Sequence, residues 1–507
     1  MTEMQRFYRK TRFGLGTVCL GLFLALGVRA ESSQNPSGQS SPAAQNKKSA
    51  AESPSTSPGA PAPAAVEKKI SPQEADELFR EVDQILKFSS TDTDLPIKHD
   101  VKRRLTSRDE LVAYMTKHMS DDADAKRLRR SELVLKKFGL LPADFDLGKF
   151  LVALLREQIA GYYDPKTKTV NLLDWLGVEQ QRPVLAHELT HALQDQSFGL
   201  EKWMKAGAGD LVEQRKAPTA ADIENDEMST ARQAVVEGQA MVVLVDYMLA
   251  PAGRTVVNSP DVIDTLKQAM LGGTADSPEF RDAPIFIKQE LTFPYRYGLD
   301  FEVALLKNGG KEKAYARALE DPPHSSRQIM QPETYLSGEH IAPMPLPDFK
   351  QDFKSYDKFD IGAMGEFDVA VLLDQYAGET SAHALCPDWR GGYYYAVMPK
   401  GKPSGPLGLL YVSRWSNAEK AEQFAAIYAK WLSQRYEHVH GVAENGEAAL
   451  DDLASLDRLT GKHIWRTEDG TVMMKVEGDT LMVTESLDDP TTERLERDVF
   501  SRPAAAN

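Results

Sequence analysis

Two of the ten histidines in this 507-residue chain stand four apart around a glutamate, in Val184-Leu185-Ala186-His187-Glu188-Leu189-Thr190-His191-Ala192-Leu193-Gln194-Asp195. On a helix, positions four apart lie one above the other, so His187 and His191 are spaced to aim two imidazole nitrogens at one metal ion about 2.0–2.1 Å away. Glu188 then falls beside the ion, where a carboxylate can take a proton from water and pass it to a leaving group. The pattern H-E-x-x-H therefore predicts zinc-assisted hydrolysis, with His187 and His191 as ligands and Glu188 as general base and then acid. A catalytic zinc usually has three protein ligands and one open position, so a third ligand must come from elsewhere.

The third ligand is expected at Glu237. It lies in Ala231-Arg232-Gln233-Ala234-Val235-Val236-Glu237-Gly238-Gln239-Ala240-Met241-Val242-Val243-Leu244-Val245, whose apolar content suits a largely buried helix. An uncompensated carboxylate there costs several kcal/mol to desolvate. Gly238 beside it removes a side chain and lets another helix approach closely. Glu224, Asp226 and Glu227 fall in a polar cluster and read as solvated or as charges at a helix N-terminus.

These motifs must be positioned by helices. Val184, Leu185, Ala186, Leu189, Ala192 and Leu193 form an apolar face at helical spacing, with Gln180, Gln181 and Gln194 outside it. Helical partners precede it. Ser71-Pro72-Gln73-Glu74 is a capping box leading into Leu78, Phe79, Val82, Ile85 and Leu86; Ser107 to Glu110 is a second one, with a helix expected through about His118. Further helices are expected from Asp122 to Phe138 and from Leu147 to about Ile159. Leu95 to Leu105 is expected to hold a short strand. Gly161 to Leu173 reads as strand, turn, strand, with Asp164-Pro165 starting the turn.

HELTHALQD resembles the zinc helix of the thermolysin-like gluzincins, and Glu237-Gly238-Gln239-Ala240 is similar to the E-G-x-A around the third ligand in several gluzincin families. The resemblance covers residues 157 to 245. It implies a metallopeptidase whose zinc is held by His187, His191 and Glu237, a role for Asp195 behind the ligands, and a hairpin edge at 161–173 placed to hold the substrate backbone as an added strand, the alternative being a hairpin that only covers the core. The chain departs from thermolysin-like enzymes in two places. The gap from His191 to Glu237 is longer, and Met241 stands where those enzymes carry an Asp supporting a ligand histidine.

The remainder of the chain sets the context. Arg6, Arg9, Lys10 and Arg12 precede an apolar run from Phe13 to Val28 and then Val28-Arg29-Ala30, which reads as a signal peptide over residues 1–30 with cleavage after Ala30. Export to a periplasmic or extracellular location follows, with membrane association only through an uncleaved N-terminal segment. Residues 31–69 are rich in Ser, Pro, Ala and Gln and read as a disordered linker. Removal of residues 1–30 leaves Cys386 as the one cysteine, so no intrachain disulfide is expected. The net charge of −15 disfavours a nucleic-acid partner.

Phe198 to Ile223 reads as a polar insertion between the two ligand helices, a lid or a passive loop, and a flexible stretch is expected after Pro251. Tyr295, Tyr297, His324, Arg327 and His340 are candidates, by position in the chain only, for the donor that steadies an oxyanion. His438 and His440, without a nearby cluster, read as surface residues. From about residue 350 a helix at Glu366 to Gln375, paired strand patterns, a helix from Asn417 to about Arg435, three strands between Ile464 and Glu485 and a last helix to about Phe500 make a separate α+β region.

The expectation is an α+β protein. A mainly helical gluzincin-like metallopeptidase domain with a small edge hairpin or sheet spans residues 70–349, and a smaller α+β domain spans residues 350–507. It binds one Zn2+ per chain and acts on a peptide or protein substrate. Two alternatives stay open: a non-catalytic exported binding or structural protein on the same scaffold, and a zinc hydrolase of another amide or ester.

Overall fold

The computed structural model describes residues 69–111, 113, 122–158, 161–205, 217–272, 277–402, 404–443 and 449–501. The expected signal peptide, all but the last residue of the linker, the end of the helix expected through His118, and residues 206–216 in the middle of the expected lid lie outside the described residues.

The chain is mixed α+β. The first helix, Pro72–Thr93, starts at the Ser71 capping box, with Ser71 N–H donating to Glu74 Oε2 at 2.7 Å and Glu74 N–H to Ser71 Oγ at 3.2 Å. It buries Leu78, Val82, Ile85 and Leu86, and its Ser89 hydroxyl reaches the carbonyl of Ala186 at 3.3 Å. That contact seats the helix against Val178–Phe198, the helix that carries HELTH. A small sheet lies alongside in the order β1-β3-β2, formed by β1 (Lys102–Thr106), β2 (Gly161–Asp164) and β3 (Thr169–Leu173). The β2–β3 hairpin is antiparallel, as the Asp164-Pro165 turn predicts, and β2 is one edge of the sheet, with β1 the other. The short strand expected within 95–105 begins only at Lys102.

Two long helices complete the layer around the motif, Ala220–Leu249 and Ile285–Lys311. By length and composition residues 220–252 suffice to cross a membrane, yet 72% of their apolar window is buried inside the molecule, as in a core helix. The two helices meet backbone to backbone. A Cβ on Gly238 would stand 2.3 Å from the carbonyl oxygen of Gly298, and one on Gly298 would stand 2.2 Å from that of Ala234. Close approach at Gly238 is thus as expected. The stretch after Pro251 is not a flexible loop; it contains helices Pro260–Gly272 and Pro278–Arg281 before the long helix through Pro294.

All seven strands of the larger sheet fall between Tyr356 and Glu485: β4 (Tyr356–Ala363), β5 (Trp389–Pro399), β6 (Gly408–Trp415), β7 (His440–Val442), β8 (Gly461–Thr467), β9 (Gly470–Glu477) and β10 (Thr480–Glu485). Their order is β4-β5-β6-β10-β9-β8-β7, with every neighbouring pair antiparallel. Helices Glu366–Ala377, Ala418–Arg435 and Asp489–Ser501 accompany it. One apolar core runs without a break from Leu78 and Leu185 through Leu291 to Tyr411 and Val483, so the helical layer and this sheet share an interior.

Candidate metal centre

The motif helix ends at Gly199, whose positive φ of 66° lets its N–H turn back to the carbonyl of Asp195. From Val184 to Asp195 the helix is buried on all sides, unlike the amphipathic helix expected, while Gln180 near its start is exposed. Gln181 and Gln194 have no exposed surface and neither stays outside the core. Gln181 is satisfied by β3: its Oε1 accepts from Leu173 N–H, and its amide donates to the carbonyls of Leu173 and Leu176.

His187, His191 and Glu237 come together from two helices. His187 Nε2 lies 3.1 Å from His191 Nε2, and Glu237 Oε2 lies 3.2 Å and 3.4 Å from the two nitrogens. Four ligands at about 2.05 Å around a tetrahedral ion stand about 3.3 Å from one another, so these three atoms form one face of such a site. Glu237 Oε2 has no hydrogen-bond partner besides the imidazoles among the described residues. Three electron-rich atoms meeting in a dry interior demand a cation. Without a metal a proton can supply that charge: burial alone would lower the pKa of His191, but the adjacent Glu237 carboxylate outweighs it and lifts it to about 9. Burial would raise that of Glu237, but the histidines pull it down to about 2. The donor set fits a divalent metal ion, and Glu237, expected as the third ligand, stands beside both histidines.

The tautomer of His191 follows from its neighbours. Gln239 donates its amide to the carbonyls of Ala314 and Tyr315 at 2.7 Å and 3.1 Å, which fixes its Oε1 as an acceptor. Gln194 donates its own amide to that Oε1 at 2.8 Å and to the carbonyl of Val236 at 3.0 Å. Gln194 Oε1 must then accept from His191 Nδ1, 2.9 Å away, so Nδ1 keeps a proton and Nε2, which faces the cluster, is the nitrogen left to bind a metal once its own proton is displaced. His187 Nδ1, by contrast, is buried with no partner among the described residues.

Glu188 is buried beside this face. Tyr163 N–H, on edge strand β2, donates to Glu188 Oε2 at 2.7 Å, and Oε1 has no partner among the described residues. Burial raises the pKa of Glu188; the nearby histidines oppose this and Glu237 adds to it. Asp195 does not stand behind a ligand. It accepts from the Tyr163 hydroxyl at 2.9 Å, pairs with Lys168 and caps Leu200 N–H at 3.0 Å, clamping the hairpin to the motif helix. The group behind His191 is Gln194, one residue earlier.

The oxyanion candidates separate. Tyr295 is buried with its ring 6.2 Å from that of His187 and inclined at 30°. Tyr297 packs on Phe293 and under Arg296, Arg327 is paired with Glu339 and Glu366, and His324 and His340 sit together with Glu224. The acidic cluster upstream of Glu237 is not simply solvated: Asp226 Oδ2 accepts from Ala363 N–H, and buried Glu227 accepts from both the N–H and the hydroxyl of Ser326. No family model matches the chain, and comparison with curated proteins and with solved structures gives no match either.

Proposed function

We propose that this chain is an exported zinc-dependent metallopeptidase. The observation that carries the reading is the tetrahedral face made by His187, His191 and Glu237, with a buried carboxylate, Glu188, set beside it and not part of it. These three residues would hold Zn2+, which when bound supplies Lewis acidity, lowering the pKa of water and polarising a carbonyl. Glu188 supplies the proton transfers. The Tyr163 amide holds Oε2 and leaves Oε1 to take a proton from the attacking water and return it to the departing amine nitrogen. Gln194 keeps the His191 proton away from the ligand nitrogen. Tyr295, beside His187, is the candidate to steady the oxyanion. Export rests on the N-terminal sequence.

One observation favours a second reading. His187, Glu188 and His191 have no exposed surface and Glu237 has 3%. A peptide bond must come within about 3 Å of Glu188, so the edge strand that covers it has to move before any substrate enters. Without such opening the site would be a metal-stabilised core and no enzyme. A Glu188→Gln variant distinguishes the two. The peptidase reading expects the parent to bind zinc and cleave members of a quenched-fluorescent peptide library, and the variant to keep zinc and lose turnover by at least about 100-fold. A parent that binds zinc tightly, yet cleaves nothing in the library even after limited proteolysis to release the hairpin, would establish the non-catalytic reading.

A further inference from the structure

The same long helix that supplies Glu237 presents a second cluster near its N-terminal end. Glu224 lies thirteen residues earlier, about 20 Å along the helix axis. His324 Nδ1 stands 3.3 Å from Glu224 Oε1, His340 Nε2 stands 3.9 Å from the same oxygen, and the three ligand atoms all lie within 4.8 Å of one another. The two imidazole rings are edge to face with centroids 5.7 Å apart.

The three heads meet at the rim of a cavity, while the backbones that carry them are tied together beneath it. Gln328 Oε1 accepts from His324 N–H at 2.7 Å, and its Nε2 donates to the carbonyl of Glu339 at 2.9 Å, so one buried amide holds both histidine-bearing segments. Glu227, one turn after Glu224, accepts from Ser326 N–H at 2.8 Å and fastens the first segment to the helix. Arg327 donates to Glu339 Oε1 at 2.9 Å and fastens the second. Loose surface histidines have no such frame. The cavity wall beyond them is apolar, with Ile223, Ile341, Met344, Trp389 and Tyr393.

We propose that Glu224, His324 and His340 form a second divalent-cation site of the zinc class, independent of His187, His191 and Glu237. Two imidazole nitrogens and one carboxylate oxygen are a borderline donor set that suits zinc and disfavours calcium or magnesium, which take oxygen ligands. The 3.3 Å edge already matches tetrahedral spacing. The longer edges close by rotation of His340, whose side chain is 58% exposed and free to turn. A fourth position faces the cavity. The ion would fasten the segment after Gly338, which runs on to β5 and β6 through Met344 against Gly391 and the carbonyl of Ala342 accepting from Arg414, to the helix that carries Glu237.

The test is zinc stoichiometry of the full chain after equilibrium dialysis against buffered free zinc, read by elemental analysis. The parent should hold about two zinc ions and a His324→Ala/His340→Ala variant about one, with a His438→Ala/His440→Ala variant, which alters a surface pair that has Glu468 near His438 but forms no three-ligand cluster among the described residues, staying at about two. Both altered pairs are largely exposed, so folding is expected and circular dichroism checks it. A fall from about one to none would support this site and remove the one proposed around Glu188. An unchanged count in the His324→Ala/His340→Ala variant, or an equal loss in the His438→Ala/His440→Ala variant, overturns the proposal. Glu224→Gln, which preserves shape, should weaken the second site at least about tenfold in a zinc-buffer titration and leave the first unchanged.

Discussion

Replacing Gln194 by Met tests whether the buried amide relay sets the ligand state of His191. The substitution keeps length and apolar volume and deletes three hydrogen bonds: His191 Nδ1 to Gln194 Oε1 at 2.9 Å, and the Gln194 amide to Val236 O and to Gln239 Oε1. At about 1 kcal/mol net for each, metal-free stability should fall by about 3 kcal/mol. Zinc binding should weaken for a separate reason. With no acceptor behind it, His191 is free to place its proton on Nε2, where it blocks the ligand position, and losing such a partner typically costs about 10- to 100-fold in metal affinity, or about 1.4–2.7 kcal/mol.

The assay is equilibrium competition for zinc between the metal-free protein and a chromophoric chelator, with urea unfolding of the metal-free forms measured alongside. Asp195→Asn is the informative companion. Asp195 touches no ligand; it holds Tyr163 and Lys168, and Lys168 is 53% exposed. Its loss should leave zinc affinity within about threefold of the parent while loosening the hairpin. If Gln194→Met destabilises the fold but binds zinc as the parent does, the tautomer reasoning is wrong. If Asp195→Asn is the variant that loses zinc, the role implied by the gluzincin resemblance is right and the assignment to Gln194 is not.

Gly238→Ala places a methyl 2.3 Å from Gly298 O, so the two long helices must separate; we expect a loss of about 1–3 kcal/mol in urea unfolding and weaker zinc binding, because Glu237 is the adjacent residue. An unaltered zinc affinity would show that the helix pair does not set the ligand position. Asp92 offers a pH test: burial, with the Asp246 charge adding and Lys311 opposing, raises its pKa from 3.8 to about 7. Between those values the folded chain keeps a proton that the unfolded chain has released, so this group's contribution is full below about pH 4 and is lost as pH rises through about 7. Asp92→Asn, which cannot ionise, should therefore gain on the parent in unfolding midpoint at pH 8 relative to pH 4.5; equal pH slopes would remove Asp92 as their cause. Stripping the metal should lower the melting temperature of the parent, and restoring zinc at 100 times its dissociation constant should return about 2.7 kcal/mol; a melting temperature indifferent to zinc would argue against binding by the folded state.

What could be read from the sequence follows the range of the interactions. His187 and His191 are related by a fixed helical repeat, and Glu237 by the cost of a bare charge in an apolar helix, so the candidate ligand set needed no tertiary information. The group behind His191 did. Gln194 and Asp195 are adjacent, and a step of one residue turns a helix by about 100°, so only the docking of the Glu237-bearing helix decides which of them meets the imidazole. The relay is foreshadowed only by glutamines, Gln194 and Gln239, in two helices otherwise too apolar for them. The acidic cluster was misread for the same cause. Glu224, Asp226 and Glu227 share one stretch of sequence, but their roles come from Ser326, Ala363, His324 and His340, between 99 and 137 residues further on. The larger sheet likewise has two hairpins, β8–β9 and β9–β10, that turn signals announce, and pairings of β6 with β10, β4 with β5 and β7 with β8 that they do not. Function in this chain is therefore most exposed to error where it depends on segments distant in sequence. The second metal cluster, built from such segments, is the place where measurement adds most to what the residues say on their own.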